Sequence, residues 1–92
     1  MLKFKGGVIL ELKDTVKMMN SEDWKKRLKA EYWQLQIRLS KLEKVIEKES
    51  EKEDFDLTET AKLLKSQGFF MENYLNILEI RAEKAGIDLS KF

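Results

Sequence analysis

Apolar residues recur along the middle of the chain at spacings that alternate between three and four. The series consists of Trp24, Leu28, Tyr32, Leu35, Leu39, Leu42 and Ile46. This spacing places the side chains on one face of an α-helix, at close to the heptad period. Asn20 and Ser21 are alternative N-caps, and Glu22 and Asp23 supply the acidic first turn that a helix favours. The pattern predicts a helix over about residues 21–50.

A second stripe of apolar residues predicts a second helix over about residues 57–85. Its members are Leu57, Ala61, Leu64, Met71, Tyr74, Leu75, Leu78 and Ala82. Asp56 is the predicted N-cap, with Glu59 three residues later as in a capping box. Gly68 interrupts the stripe, which indicates either a close helix contact or a local kink. Gly86 in a left-handed conformation, followed by Ile87 folding back, is the predicted end of the helix.

Residues 1–20 differ from the rest of the chain. The alternation of apolar and basic residues over 2–5 and the mostly apolar stretch 8–12 favour a short strand or a hairpin around Gly6 and Gly7. A short helix over residues 14–19, using Leu12, Val16 and Met19, is the alternative. We therefore predict a mainly α protein with an N-terminal extension, residues 1–20, and an antiparallel two-helix hairpin domain, residues 21–92. The apolar arc is wider than one partner helix can cover, which predicts a homo-oligomer.

The composition limits the chemistry. The chain has no His and no Cys, so it lacks the side chains of the common nucleophile–base pairs and of zinc sites. Helical carboxylate pairs such as Glu43 and Glu47 are typical of a solvated face. We therefore predict a protein that is not an enzyme and holds neither a metal nor a cofactor. No apolar run is longer than three residues, as at residues 8–10, which is too short to span a membrane. No signal peptide is recognisable, so we expect a soluble intracellular protein.

The charge is nearly balanced, with 18 Lys and Arg against 17 Asp and Glu. This balance argues against a DNA or RNA binder, which normally has a basic excess, but it allows a small anionic ligand. Lys25, Lys26, Arg27 and Lys29 form a local basic run close to Tyr32. An aromatic ring stacks on a base while basic side chains bind phosphate. Core packing of Tyr32 and a solvated basic face are the alternatives.

Two stretches resemble the phage helical-hairpin nucleotide sponges, the anti-CBASS and anti-Thoeris proteins. The first is Arg27-Leu28-Lys29-Ala30-Glu31-Tyr32-Trp33-Gln34-Leu35, continuing to Arg38 and Lys41-Leu42. The second comprises Leu63, Leu64, Gln67, Met71, Tyr74, Leu78 and Arg81. Together they cover about residues 21–84. Gln67 and Arg81 are the distinctive positions, because core packing does not require them.

The resemblance implies a sponge that acts in the cytoplasm of the infected host cell and sequesters cyclic di- or trinucleotides without hydrolysing them. The ligands that the resemblance implies also include signals of the cyclic ADP-ribose type. It further implies that the binding pockets lie between subunits of a homo-oligomer, which is expected to be a hexamer. Tyr32 matches the family's stacking tyrosine and Arg81 its pocket arginine. The family's phosphate-binding lysine falls on Lys48 or on Glu47, depending on the register, and Lys48 is selected because a cation suits a phosphate. Arg27, from the basic run, completes the ligand-binding candidates.

A different class of function is the alternative. A small helical protein of this composition is also typical of an interaction module or an inhibitor that binds a host protein. A nucleotide response in solution distinguishes the two interpretations.

Overall fold

The computed structural model describes residues 4–5 and 8–92, with side chains from Leu10 onward. The strands are β1, Phe4–Lys5, and β2, Val8–Ile9, and the helices are α1, Val16–Met19, α2, Trp24–Glu49, and α3, Glu59–Ala85. Short 3₁₀ turns occupy Leu12–Thr15 and Phe55–Leu57. The prediction of a mainly helical chain is confirmed. The strands pair antiparallel, and the predicted turn at Gly6 and Gly7 lies outside the described residues.

The helix α2 begins three residues later than its sequence pattern predicts. Its N-cap is Asp23, whose side chain accepts a hydrogen bond from the backbone N–H of Lys25 at 3.0 Å. The prediction of Asn20 or Ser21 as the cap is wrong, because Ser21 Oγ instead accepts from the backbone N–H of Asp23 at 3.1 Å. Ser21 therefore stabilises the turn that precedes the helix.

The helix α3 also begins later than predicted. Thr58 is its N-cap and accepts from the backbone N–H of Ala61 at 3.1 Å. Asp56, the predicted cap, lies in the preceding 3₁₀ turn and accepts from Lys65 Nζ at 2.7 Å. Leu57 was predicted to begin the core stripe, and this is also wrong, since its side chain is 78% exposed. The turn at Leu57 precedes the helix, so the helical periodicity does not yet apply there.

The two long helices pack against each other in opposite directions. The hydroxyl of Tyr32 lies 3.4 Å from Oε1 of Glu79, and Leu42 approaches Gly68, so later residues of α2 meet earlier residues of α3. The helix α3 is continuous through Gly68, which favours the close contact over the kink. At its end Gly86 adopts φ 70°, and Ile87 N–H donates to the carbonyl of Ala82 at 2.9 Å, as predicted.

The core is unevenly shared between the two long helices. The buried residues of α2 are Leu28, Ala30, Tyr32, Trp33, Leu35, Ile37, Leu39, Ser40 and Leu42. Those of α3 are Ala61, Leu75, Leu78 and Ala82. The reason is that α2 contacts α3, α1 and the 3₁₀ turn Leu12–Thr15. Within the described part of the chain, α2 is therefore the central helix and α3 is an edge helix.

Candidate functional site

The helix α3 carries a second stripe of large side chains that α2 does not cover. The stripe consists of Leu63, Gln67, Phe70, Tyr74, Ile77 and Arg81. Its spacing alternates between four and three, so these residues lie on one face of the helix. Its apolar members are between 43% and 68% exposed. We call this surface the outer seam.

The surroundings of the outer seam are poor in charge. Between Ser66 and Leu78 the sequence has one charged residue, Glu72, in a chain that is 38% charged overall. The helical period places Glu72 on the side of α3 opposite the outer seam. Protein interfaces are depleted in charged residues and enriched in aromatic ones. The outer seam therefore has the composition of an interface and not that of a solvated helix face.

Gln67 and Arg81 are the two polar members of the outer seam. Both are exposed, and neither forms an ion pair or a side-chain hydrogen bond with another described residue. They are fourteen residues apart, which corresponds to about 21 Å along the helix axis. One chain therefore presents them as two separate groups that cannot hold the same phosphate.

Tyr32, the predicted stacking residue, lies in the core. Its hydroxyl lies 3.4 Å from Glu79 Oε1 and accepts from Gln36 Nε2 at 2.9 Å. Its ring meets that of Trp33 edge to face, with the centroids 5.6 Å apart. The accessible tyrosine is instead Tyr74, which the sequence reasoning did not select. The available signal was its helical spacing from Gln67 and Arg81.

The remaining predicted site residues lie apart from one another. Lys48 is exposed in the last turn of α2, sixteen residues from Tyr32 and so about 24 Å along the axis. Arg27 is exposed near the start of α2, where its Nη1 donates to the carbonyl of Ser21 at 2.8 Å. A single chain therefore does not bring Tyr32, Lys48 and Arg27 to one point. Arg81 lies near the level of Tyr32, because Glu79 contacts Tyr32, but on the outer seam.

A cavity of about 370 Å³ lies at the junction of α1 and α2. It is lined by Asp14, Lys17, Met18, Ser21, Lys26 and Phe92. Its volume is within the range of small-molecule sites, and two lysines favour an anion. The carboxylate of Asp14 accepts a hydrogen bond from the backbone N–H of Glu11 at 2.9 Å. Its negative charge disfavours an anion in the cavity. None of the four predicted ligand residues lines this cavity.

Two further classes of site were sought among the described residues. There, no three acidic side chains are grouped so that they could hold a metal ion. None of the helices in that part of the chain has the length and apolar character that crossing a membrane requires.

The fold and the outer seam define a small helical protein with an exposed helix face of aromatic and polar side chains. In a comparison with known protein families, residues 22–84 match the Sequestin family. The chain therefore belongs to the Sequestin family. The match contains α2, the connection and all of α3 except its last residue, and it confirms the resemblance to sequestering proteins seen in the sequence. The family name indicates a binding role rather than a catalytic one. Comparisons with curated proteins and with solved structures give no match.

Proposed function

We propose that this protein is a phage anti-defence sponge that sequesters cyclic oligonucleotide immune signals without hydrolysing them. It acts in the cytoplasm of the infected host cell, and its ligands are cyclic di- or trinucleotides or signals of the cyclic ADP-ribose type. Membership of the Sequestin family supports sequestration. We infer the class of ligand from the outer seam, where exposed aromatic rings share one helix face with Gln67 and Arg81.

Each group on the outer seam suits one part of a nucleotide. The rings of Phe70 and Tyr74 stack on bases, which contributes about 1–3 kcal/mol per base. The guanidinium of Arg81 donates two parallel hydrogen bonds to a phosphate. The amide of Gln67 both donates and accepts, as the edge of a base requires. These groups bind and orient a ligand, and none of them is a nucleophile paired with a base.

Two of the remaining candidates, Lys48 and Arg27, lie on α2 and not on the outer seam. Arg81, Lys48 and Arg27 are exposed and are proposed as phosphate ligands. Tyr32 stays among the proposed site residues in a supporting role, because its buried hydroxyl contacts Glu79 two residues before Arg81. We assign the stacking role to Tyr74, whose ring is accessible.

A single copy presents these groups on a convex helix surface, so enclosure of the ligand requires further copies. The apolar surface also extends beyond the outer seam to Phe69 and Ile80, which are exposed on the neighbouring side of α3. One partner helix covers a narrower arc than this. An assembly with more than one neighbour per chain, such as a hexamer with pockets between subunits, accounts for the whole exposed surface.

The test is thermal unfolding of the protein with a panel of cyclic dinucleotides, cyclic trinucleotides and cyclic ADP-ribose isomers. A ligand at one hundred times its Kd stabilises the bound form by about 2.7 kcal/mol, which raises the Tm by more than about 10 °C for a domain of this size. Chromatography of the released ligand should show it unchanged. Light scattering on the same samples gives the number of subunits.

Matched variants connect the binding to the outer seam. Arg81→Gln should weaken the ligand that binds by at least about tenfold, since it removes a charged hydrogen-bond pair to phosphate. Lys62→Gln removes a positive charge from α3 away from the outer seam and should bind as the parent does. The proposal is overturned if no ligand of the panel raises the Tm, or if Arg81→Gln binds normally. Recovery of one stoichiometric host protein without a nucleotide response would favour the interaction module instead.

A further inference from the structure

The cavity at the junction of α1 and α2 is built mainly by the two flanks of the hairpin. Of its six lining residues, only Lys26 lies within the segment that matches the Sequestin family, residues 22–84. The other five are Asp14, Lys17, Met18, Ser21 and Phe92. The cavity therefore depends on the segments before and after the matched hairpin. We call it the flank cavity.

We propose that the flank cavity is a second ligand site, separate from the outer seam, and that it binds a small carboxylate carried on a flat aromatic body. The volume of about 370 Å³ is large enough for a ligand of this kind. No residue of the outer seam lines the cavity. The inference is therefore independent of the proposed function.

Hydrogen bonds hold the wall at Ser21 in place. The backbone N–H of Ser21 donates to the carbonyl of Met18 at 3.2 Å, and its own carbonyl accepts from Arg27 Nη1 at 2.8 Å. Its Oγ accepts from the backbone N–H of Asp23 at 3.1 Å. These bonds tie the end of α1 to the start of α2. The wall is therefore formed before a ligand enters, which lowers the entropic cost of binding.

The apolar part of the cavity comes from Phe92 and Met18, which are both half-buried. The ring of Phe92 meets that of buried Trp33 edge to face, with the centroids 6.5 Å apart. Ile87 and Leu89 pack against the same core and fix the segment that carries Phe92. Aromatic rings and the thioether of methionine both pack favourably against an aromatic ligand. This wall selects a flat apolar body.

The charged part of the cavity selects a single negative charge. Lys17 and Lys26 are exposed, and neither forms an ion pair with another described residue. Asp14 opposes them, but its Oδ2 already accepts from the backbone N–H of Glu11 at 2.9 Å. Two positive charges against one negative charge leave the lining with one net positive charge. A carboxylate neutralises this charge and accepts from the ammonium groups, whereas a dianion would add repulsion from Asp14.

Methyl NMR with 2-naphthoate as the probe tests the site on the whole chain. With labelled Met and Ile methyl groups, Met18 reports on the flank cavity and Ile77 on the outer seam, which offers the probe competing aromatic rings. The Met18 signal should move in a saturable way, with a Kd of at most about 1 mM, and at lower probe concentration than the Ile77 signal. The neutral 2-naphthylmethanol should bind about fivefold more weakly.

Three results of this titration would overturn the inference. They are no saturable shift of the Met18 signal, a shift of Ile77 at the same or lower probe concentration, and equal affinity for the neutral alcohol. The thermal panel of cyclic nucleotides is a separate measurement. If that panel gives no change in Tm while 2-naphthoate binds at Met18, the proposed function fails and the flank cavity stands.

Charge variants connect the binding to the cavity lining. Lys17→Gln and Lys26→Gln should each weaken 2-naphthoate by at least about threefold. Lys25→Gln makes the same change of charge beside Lys26 but outside the lining, and its affinity should stay within about twofold of the parent. Asp14→Asn removes the opposing charge and keeps an amide oxygen that can accept from Glu11, so it should strengthen binding. The inference fails if Lys26→Gln binds as Lys25→Gln does, or if Asp14→Asn does not bind more tightly than the parent.

Discussion

Gly68 gives a quantitative test of how α2 and α3 pack. It lies inside α3 in helical conformation, where glycine costs about 1 kcal/mol relative to alanine. A Cβ at this position would lie 3.6 Å from Cδ2 of Leu42 and 4.0 Å from Cδ1 of Leu39. These are ordinary van der Waals distances, so the added methyl group fits without displacing α2. We expect Gly68→Ala to raise the free energy of unfolding by about 0.4–1 kcal/mol.

Gly86→Ala is a matched control, because it should change the free energy of unfolding in the opposite direction. Its φ of 70° is in the left-handed region, and a Cβ there would meet no atom within 4 Å. The effect of Gly86→Ala is therefore one of backbone conformation alone. The same chemical change that stabilises α3 at residue 68 should destabilise its end by about 1 kcal/mol.

The assay is urea unfolding followed by far-ultraviolet circular dichroism, with all variants at one protein concentration because association contributes to apparent stability. A change of 1 kcal/mol corresponds to about 4–8 °C in Tm for a domain of this size, so a thermal scan should give opposite shifts for the two variants. A clear loss of stability in Gly68→Ala would mean that α2 and α3 approach more closely than the contacts of Leu42 and Leu39 describe. A neutral Gly86→Ala would contradict the left-handed helix end.

Two further predictions concern local hydrogen bonds. Thr58→Ala removes the acceptor of the Ala61 N–H and should cost about 1 kcal/mol in urea unfolding; Thr58→Ser should restore the stability, and equal loss in both variants would speak against the cap. The side-chain and backbone hydrogen bonds from Ser90 hold the pKa of Asp88 below its ordinary value. Because folding favours the charged carboxylate, the stabilisation is present above the pKa of the unfolded chain and is lost as pH falls through the lower folded pKa. Ser90→Ala should raise the Asp88 midpoint in an NMR titration of the side-chain carboxyl, and an unchanged midpoint would refute the role of Ser90.

The central helix and the end of α3 could be predicted from the sequence because their signals are local. The series from Leu28 to Leu42 repeats at three and four residues and is buried as expected. Gly86 is a strong local signal, since few residues other than glycine adopt a left-handed conformation without strain. Neither signal requires knowledge of what the helix packs against.

The starts of both helices could not be predicted with the same accuracy. Several capping residues stand close together before each helix, and Asp23 and Thr58 are chosen over Ser21 and Asp56. All four have side chains suited to capping. Which of them begins the helix depends on the packing of the folded chain, and the exposed Leu57 shows that an apolar residue near a cap need not be part of the core.

The sequence predicted most of the stripe of α3 that faces α2, since Ala61, Leu75, Leu78 and Ala82 are buried and Leu64 and Met71 pack against the core. Its assignment of Tyr74 to that stripe is wrong, because the side chain of Tyr74 is 43% exposed. The inner stripe and the outer seam have similar helical spacing, and both contain large apolar residues. The structure places Ala61, Gly68 and Ala82 on the inner side, where small residues let the two helices approach closely. The larger rings of Phe70 and Tyr74 remain outside. The outer seam could be recognised as a separate surface only after the structure had placed Tyr74 outside the core.

The unequal division of the core between α2 and α3 has a consequence for how such a protein can diversify. The side chains of Phe70, Tyr74 and Ile77 are only partly covered within one chain, whereas nine residues of α2 are buried in its core. Exposed positions tolerate substitution with small changes in folding free energy. The need to fold therefore constrains residues on the outer seam less than it constrains those of α2, and under the proposed function the ligand constrains them more. A lineage under pressure to capture a new signal can change this helix face while its central helix stays the same.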